Sequence, residues 1–372
     1  MNTPDAAQLA RLANQFRMEG NVLDIAPFGS GHINDTYRVN TDAADSYLLQ
    51  RINHHVFRNV PALMDNMELV TSHLKQKYRL LNEKDPDSRV LTLIGHESGK
   101  SFHEDAEGSF WRMFVLLPHT RSYDIVETPQ QAREGGRAFG QFQRLLSDLD
   151  ATRIHEVLPH FHHIGKRLER LDEAVAKDAF GRVAGVVDEL AFVAARKDRM
   201  QTIQHMAAEG LLPLRITHND TKFNNVLLDG NDQFQCVIDL DTVMPGYVAC
   251  DFGDAIRSII NRAAEDEADV ERVKLNIPLF EAYAEGYFEQ AHHFLTSHET
   301  DSLFAGVLLL PYMQTVRFLT DFVEGDHYYK IHHAQHNLQR TRAQLRLVEE
   351  LEKHEPELRV ILQRIADKYR KN

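Results

Sequence analysis

The stretch Ile216-Thr217-His218-Asn219-Asp220-Thr221-Lys222-Phe223-Asn224-Asn225 sets a histidine, an aspartate, a lysine and three asparagines directly after an apolar run. A turn signal follows at Asp229-Gly230-Asn231, and then the strand-like Cys236-Val237-Ile238-Asp239-Leu240-Asp241. Asn225 stands five positions after Asp220 (225 − 220) and Asp239 nineteen (239 − 220). Taken singly, each of these residues is at home capping a turn or ending a strand. Two carboxylates and an amide at fixed spacing beside apolar strands point instead to one shared task.

Working outward, the chain divides by element type. An amphipathic helix over 7–19 precedes strand patterns at 22–26, 36–39 and 47–52. A helix over 61–77 carries Leu63, Met64, Met67, Val70 and Leu74 on one face, with Pro61 in its first turn, and strands at 90–94 and 110–117 follow. Pro118 ends the last of these. Helical periodicity then dominates over 129–148, 164–176, 181–210, 265–293, 301–324 and 335–370, interrupted by a β-like island around 224–240. Strands early and helices late predict an α+β protein: a small N-terminal lobe with an antiparallel sheet (1–118) and a large, mostly helical C-terminal lobe (119–372). The cleft between them is the natural ligand site.

Phosphoryl transfer needs a carboxylate beside the attacking hydroxyl and oxygen ligands that hold magnesium on a triphosphate, because the task is positioning and charge neutralisation. Asp220 suits the base, and Asn225 and Asp239 suit the metal. Lys222 either stabilises the transferring group or is a solvated lysine. Asn219 either touches an acceptor hydroxyl or fixes its loop, and His218 reads chiefly as a brace. Asp241 is a supporting or acceptor-binding group. Between the first two strands, Gly29-Ser30-Gly31-His32 either covers ATP phosphates with backbone N–H groups or makes a plain turn.

The Asp220/Asn225/Asp239 spacing resembles the aminoglycoside phosphotransferase and choline kinase superfamily, which implies a protein-kinase-like bilobal fold and the use of ATP and Mg2+. Asp251-Phe252-Gly253 spells the tripeptide that carries the metal ligand in protein kinases, but it lies 31 positions after Asp220 (251 − 220), so Asp239 is the expected ligand. Asp251 and Asp254 read as start signals of the helix containing Ile256 and Ile259. In this superfamily a lysine on the third strand contacts the nucleotide phosphates and pairs with a helical glutamate. Here Leu49-Gln50-Arg51 stands at that place, with Glu68 as the glutamate. Gln50 has no charge, and Arg51 should face the other side of the sheet.

Longer strings resemble the N-acetylhexosamine 1-kinases: Gly31-His32-Ile33-Asn34, Met67 to Ser72, Thr217 to Lys222, Ile238 to Thr242, Arg317-Phe318-Leu319 and Glu324-Gly325-Asp326. That resemblance implies transfer of the ATP γ-phosphoryl group to the anomeric hydroxyl of N-acetylglucosamine or N-acetylgalactosamine. For sugar recognition, Arg317 and Tyr328 are the candidates, on and after a helix with Tyr312, Phe318 and Asp321; an Arg317–Asp321 ion pair is the structural alternative. Trp111 reads as core or hinge packing. The same machinery could serve another alcohol, such as a neutral hexose, choline or an aminoglycoside. The loss of the lysine at Gln50 also raises a catalytically silent nucleotide-binding protein.

With 43% hydrophobic and 26% charged residues, the chain can bury a large core. A formal net charge of −13 argues against a nucleic-acid partner. Small-molecule sugar and ATP are the expected partners. No run of 18 apolar residues and no signal-peptide pattern is seen, so no membrane partner and a cytoplasmic protein are expected. Cys236 and Cys250 read as buried thiols, and His160 to His163 and His332-His333 lack the spacing of a closed metal site. Monomer and homodimer are both compatible with the sequence.

Overall fold

Period-two alternation in the N-terminal third places its side chains on two faces of one sheet. The computed structural model describes residues 4–29 and 33–370. Helix α1 (Ala6–Ala13) precedes strands β1 (Val22–Pro27), β2 (Asp35–Thr41) and β3 (Ser46–Ile52), then helix α2 (Val60–Leu80) and strands β4 (Leu93–Ile94), β5 (Phe102–Glu104) and β6 (Phe110–Val115). The strands pair antiparallel in the order β1-β2-β3-β6-β4, with β5 on β6. Tyr47, Leu49, Trp111 and Met113 pack with α1 on one face. Ile52 and Phe114 join α2 and the main core on the other. Gln50 faces Arg112 across the β3–β6 ladder.

The large lobe contains α3 (Pro129–Leu146), α4 (Ile164–Lys177), α5 (Val187–Arg196), α6 (Thr202–Ala208), α7 (Val248–Ile259), α8 (Ile277–Ala291), α9 (Ser297–Val323), α10 (His336–Lys353) and α11 (Glu355–Arg370). Its small β structures are β7 (Arg215–Thr217) paired with β10 (Met244–Gly246), and β8 (Val226–Leu228) paired with β9 (Phe234–Val237). This is the α+β architecture expected from the element order, with an antiparallel sheet in the N-terminal part and a mostly helical C-terminal part. α9 is long and apolar enough by composition to cross a membrane, but 83% of its apolar window is buried within the protein, where it is the core helix against α7 and α10. Cys236 and Cys250 are unpaired and buried.

Several helical patterns break where the periodicity alone ran through. The helix expected over 265–293 begins only at Ile277, with Pro278 in its first turn, because proline lacks the N–H that an interior position needs. The run 335–370 splits at His354 for the same reason, Pro356 standing in the first turn of α11. The run 181–210 breaks into α5, α6 and 3-10 turns. Helix α1 stops at Ala13 because Phe16 leaves it to bridge His96. Helix α7 begins at Val248 with Asp251 in its first turn, as a start signal would stand, whereas Asp254 lies further along; both carboxylates are buried.

Candidate active site

The loop after β7 turns sharply. Asn219 has φ +64°, a left-handed conformation that asparagine tolerates better than most residues. Gly246 on the partner strand is obligatory here, since a Cβ would lie 2.3 Å from Thr217 Oγ1. The loop is held from below by Asp251, 1% exposed, whose carboxylate accepts the backbone N–H of His218 and of Asn219, each at 2.8 Å. Gln143 Nε2 donates to the same carboxylate at 2.8 Å and its Oε1 accepts from the Tyr287 hydroxyl at 2.6 Å. Thr221 Oγ1 donates to the Asp251 carbonyl at 2.6 Å. The Asp-Phe-Gly aspartate is therefore a brace for the loop. His218 braces it too, its Nε2 2.9 Å from the Ile238 carbonyl and its ring edge-on to Phe139 and Phe142.

Asp220 emerges from this frame with a side chain 24% exposed. Lys222 Nζ lies 3.2 Å from Asp220 Oδ2, and Asn225 Nδ2 donates to the Asp220 carbonyl at 2.8 Å and to Oδ2 at 3.3 Å. Burial works against the Lys222 charge, but Asp220, Asp239 and Asp254 outweigh it and raise its pKa. Asp239 has φ +60°. Burial, then the neighbouring Asp241 and Asp220 carboxylates, push its pKa up to about 6. Burial and like charges both disfavour its ionised form. Asn225 turns its amide nitrogen to Asp220, so its oxygen is the atom that could face a metal. Among the described residues no three His, Cys, Asp or Glu side chains enclose a metal by themselves. Mg2+ takes one or two protein oxygens and completes its shell with water and phosphate. Asp239 and Asn225 fit that ion.

In the small lobe, Gly29 has φ +77°, open space around it, and an exposed position after β1. The expected contacts at Ser30, Gly31 and His32 lie outside the described residues. Gln50 donates to Thr36 Oγ1 at 2.9 Å and accepts from Arg112. Glu68 does not meet it: Glu68 is on the exposed side of α2, which turns Met64 and Met67 toward Arg112 instead. Arg51 faces away as the pleat requires, bonded to Asp35 and stacked over Trp111. Of the two roles expected for Asp241, supporting and acceptor-binding, its contacts fit the first, since its carboxylate is bound by Arg112 and by Asn34 Nδ2 at 2.6 Å. Arg112 escaped the sequence reading. A lone charge inside the apolar run Phe110 to Val115 was the signal.

Beside Asp220, a pocket is lined by Asn219, His162, Asp254, Gln314 and Arg317, with Phe161, Leu310 and Met313 as apolar walls. Asn219 spends its side-chain amide on the Thr242 carbonyl at 3.0 Å and its oxygen on Thr217 Oγ1, so it fixes the loop. Asp254 Oδ1 accepts from Arg257 Nη2 and Nε at 2.9 and 3.1 Å, while its buried Oδ2 has no hydrogen-bond partner among the described residues. His162 Nδ1 is likewise buried and unpartnered, and burial lowers the ring pKa to about 4, so it is neutral. Arg317 bonds Gln314 Oε1 at 3.0 Å and stacks on Phe161 and Tyr329. It makes no pair with Asp321, whose carboxylate accepts the backbone N–H groups of His327, Tyr328 and Tyr329. Arg317 also lines an adjoining pocket with Tyr328 and Tyr329. His162 and Asp254 were missed because their meeting with Asp220 depends on chain packing.

A family model for the phosphotransferase enzyme family matches residues 24–295. The structure is similar to that of a microcompartment-associated aminopropanol kinase, with TM-score 0.63, 17% identity, and 93% of this chain and 97% of that one covered. It is similar to an aminoglycoside phosphotransferase from Alicyclobacillus acidocaldarius, with TM-score 0.59, 11% identity, and 100% and 98% covered. The amicoumacin kinase hAmiN, in complex with AMP-PNP, Ca2+ and Ami, gives TM-score 0.59 at 14% identity, with 98% and 94% covered. At such identities these three speak for the fold alone. The family match spans more than half of the chain, including the sheet, the Asp220 loop, Asp239 and the Asp251 brace, and by it the chain belongs to the phosphotransferase enzyme family.

Proposed function

We propose that this protein is an ATP- and Mg2+-dependent kinase that phosphorylates the anomeric hydroxyl of N-acetylglucosamine or N-acetylgalactosamine. The observation that carries the phosphotransferase reading is Asp220: a partly exposed carboxylate lining a pocket, flanked by Lys222 at 3.2 Å, with Asp239 near enough for the two carboxylates to repel. Asp220 orients the acceptor hydroxyl and takes its proton as the new O–P bond forms. The bond from the γ-phosphorus to the bridging oxygen breaks, and ADP leaves with the electron pair. Lys222 offers positive charge to the transferring group. Magnesium, when bound, neutralises the phosphate oxygens, and Asp239 and Asn225 are the residues that would hold it.

The sugar reading rests on the strings shared with the N-acetylhexosamine 1-kinases and fits the pocket chemistry. Arg317 presents fixed donors for sugar or acetamido oxygens, His162 and Asp254 offer unpartnered polar atoms for hydroxyls, and Phe161 and Tyr329 give apolar faces. The anomeric hydroxyl is the most acidic on a sugar, so one carboxylate suffices.

A second reading is favoured by Asp254. Its unpartnered carboxylate oxygen in the pocket suits an ammonium group, and an aminopropanol kinase is among the similar folds. Acceptor profiling with ATP and Mg2+, with the phosphorylated position read by NMR, separates the two. The first reading expects phosphate on the anomeric oxygen of an N-acetylhexosamine. Turnover of amino alcohols with none of either N-acetylhexosamine would replace it with the second.

A further inference from the structure

Position 50 of β3 carries a neutral glutamine where the family resemblance implies a lysine, yet a guanidinium lies directly in front of Gln50. Arg112, on the neighbouring strand and opposite Gln50 in register, has a side chain 2% exposed. Its Nε and Nη2 both donate to Gln50 Oε1, at 2.8 and 2.5 Å. Gln50 turns its oxygen to Arg112 because its nitrogen is committed to Thr36. A lysine at position 50 would oppose a second buried cation there; a glutamine accepts from it. Loss of the lysine and presence of the arginine are thus one feature.

The other edge of the guanidinium crosses to the large lobe. Nη2 donates to Asp241 Oδ2 at 2.8 Å and Nη1 to Asp241 Oδ1, a parallel two-point fork. Asp241, 3% exposed, also accepts from Asn34 of β2's approach at 2.6 Å. The sulfurs of Met64 and Met67, at 4.0 and 3.8 Å from Nη1, and the Phe114 ring close the remaining sides. Asp241 belongs to the 3-10 turn Leu240–Thr242, which begins at Asp239. Asp239 itself holds a left-handed backbone and has no side-chain capping bond to keep it there. From the small-lobe side this turn is held by the Arg112 fork together with the Asn34 hydrogen bond.

We propose that Arg112 is a positioning residue for the metal-binding turn: through Asp241 it ties the small-lobe sheet to Asp239 and presents that carboxylate to magnesium-bound nucleotide. The proposal rests on the reading of Asp239 as metal ligand. Arg112 acts on the turn and not on the nucleotide, because its fork is filled by Asp241 and its Nε edge by Gln50. In this protein the ordered link between sheet and metal turn runs from β6 rather than from β3.

The test is calorimetric binding of ADP with and without Mg2+, alongside kcat and KM for ATP, in Arg112→Met, Arg112→Lys, Asp241→Asn and the Arg112→Met/Asp241→Asn double variant. Arg112→Met is expected to lower MgADP affinity at least tenfold while leaving Mg-free ADP affinity within about twofold. Asp241→Asn should do the same, and the double variant should be no worse than either single one, because both act through one contact. Arg112→Lys, which keeps the charge but not the fork, should fall between, and it carries the test if Arg112→Met does not fold. Equal losses with and without Mg2+ would mean direct phosphate contact and overturn the proposal. So would losses that multiply in the double variant, or a lowered melting temperature with MgADP binding unchanged. Asp239→Ala is the control. If it leaves the magnesium enhancement intact, the metal reading fails and the proposal with it; if it abolishes the enhancement while Arg112→Met does not, the positioning role alone fails.

Discussion

Replacing Asp251 by alanine separates a loop brace from a metal ligand. The Asp251 carboxylate is buried and accepts three hydrogen bonds at 2.8 Å, two of them from the backbone N–H groups of His218 and Asn219, immediately before Asp220. Each buried donor left without an acceptor costs about 1–3 kcal/mol, so two give about 2–6 kcal/mol, and Gln143 loses its partner as well. Asp251→Ala should therefore shift the urea midpoint markedly at unchanged m-value. It should also reduce kcat, because Asp220 loses its support. Unfolding curves by circular dichroism, a coupled ADP-release assay and a magnesium titration of kcat measure all three quantities. Unchanged stability together with an altered magnesium requirement would refute the reasoning and return the Asp-Phe-Gly aspartate to metal binding.

Gly253 of the same tripeptide packs α7 against α9, where an added Cβ would lie 2.1 Å from the Gly306 carbonyl oxygen. Gly253→Ala should destabilise by about 1–3 kcal/mol or more through forced separation of the helices, and a melting temperature equal to wild type would show that the crossing is looser than described. His162, neutral because burial lowers its pKa to about 4, refuses a proton that the unfolded chain accepts below about 6.5. Stability from this group is complete above that pH and is lost as pH falls toward 4, by up to about 1.4 kcal/mol per pH unit. His162→Gln should flatten this part of the stability profile between pH 7 and 5, and denaturant midpoints that keep the wild-type slope would contradict the assignment.

The residues that could be read from sequence are those whose role is local. The strands of the small lobe follow from alternation around Tyr47, Leu49 and Ile52, and the outward face of Arg51 follows from the pleat. Asp220, Asn225 and Asp239 share one short segment, so their spacing already implies proximity. The helix breaks at Pro278 and Pro356 were also open to a local rule, which the longer apolar periodicity masked. Contacts between distant segments were not legible in this way. Asp251 looks like a helix start by composition, yet it points 33 residues back to the His218 N–H. Arg112 and Asp241 are 129 residues apart, and only the docking of the sheet on the large lobe brings them together. His162 and Asp254 come to line one pocket with Asp220 and residues of α9 through chain packing, which no spacing rule records.

The central claim is that Asp220 is the base for phosphoryl transfer, and the kinetics of Asp220→Asn with binding of MgADP to the same variant test it most directly. The substitution keeps the shape and removes the charge at a side chain that is a quarter exposed, so the fold should hold. A fall in kcat of about 10²–10⁴-fold, with MgADP affinity close to wild type, is the result expected of a lost general base. Near-full kcat in a variant of normal stability would contradict the account.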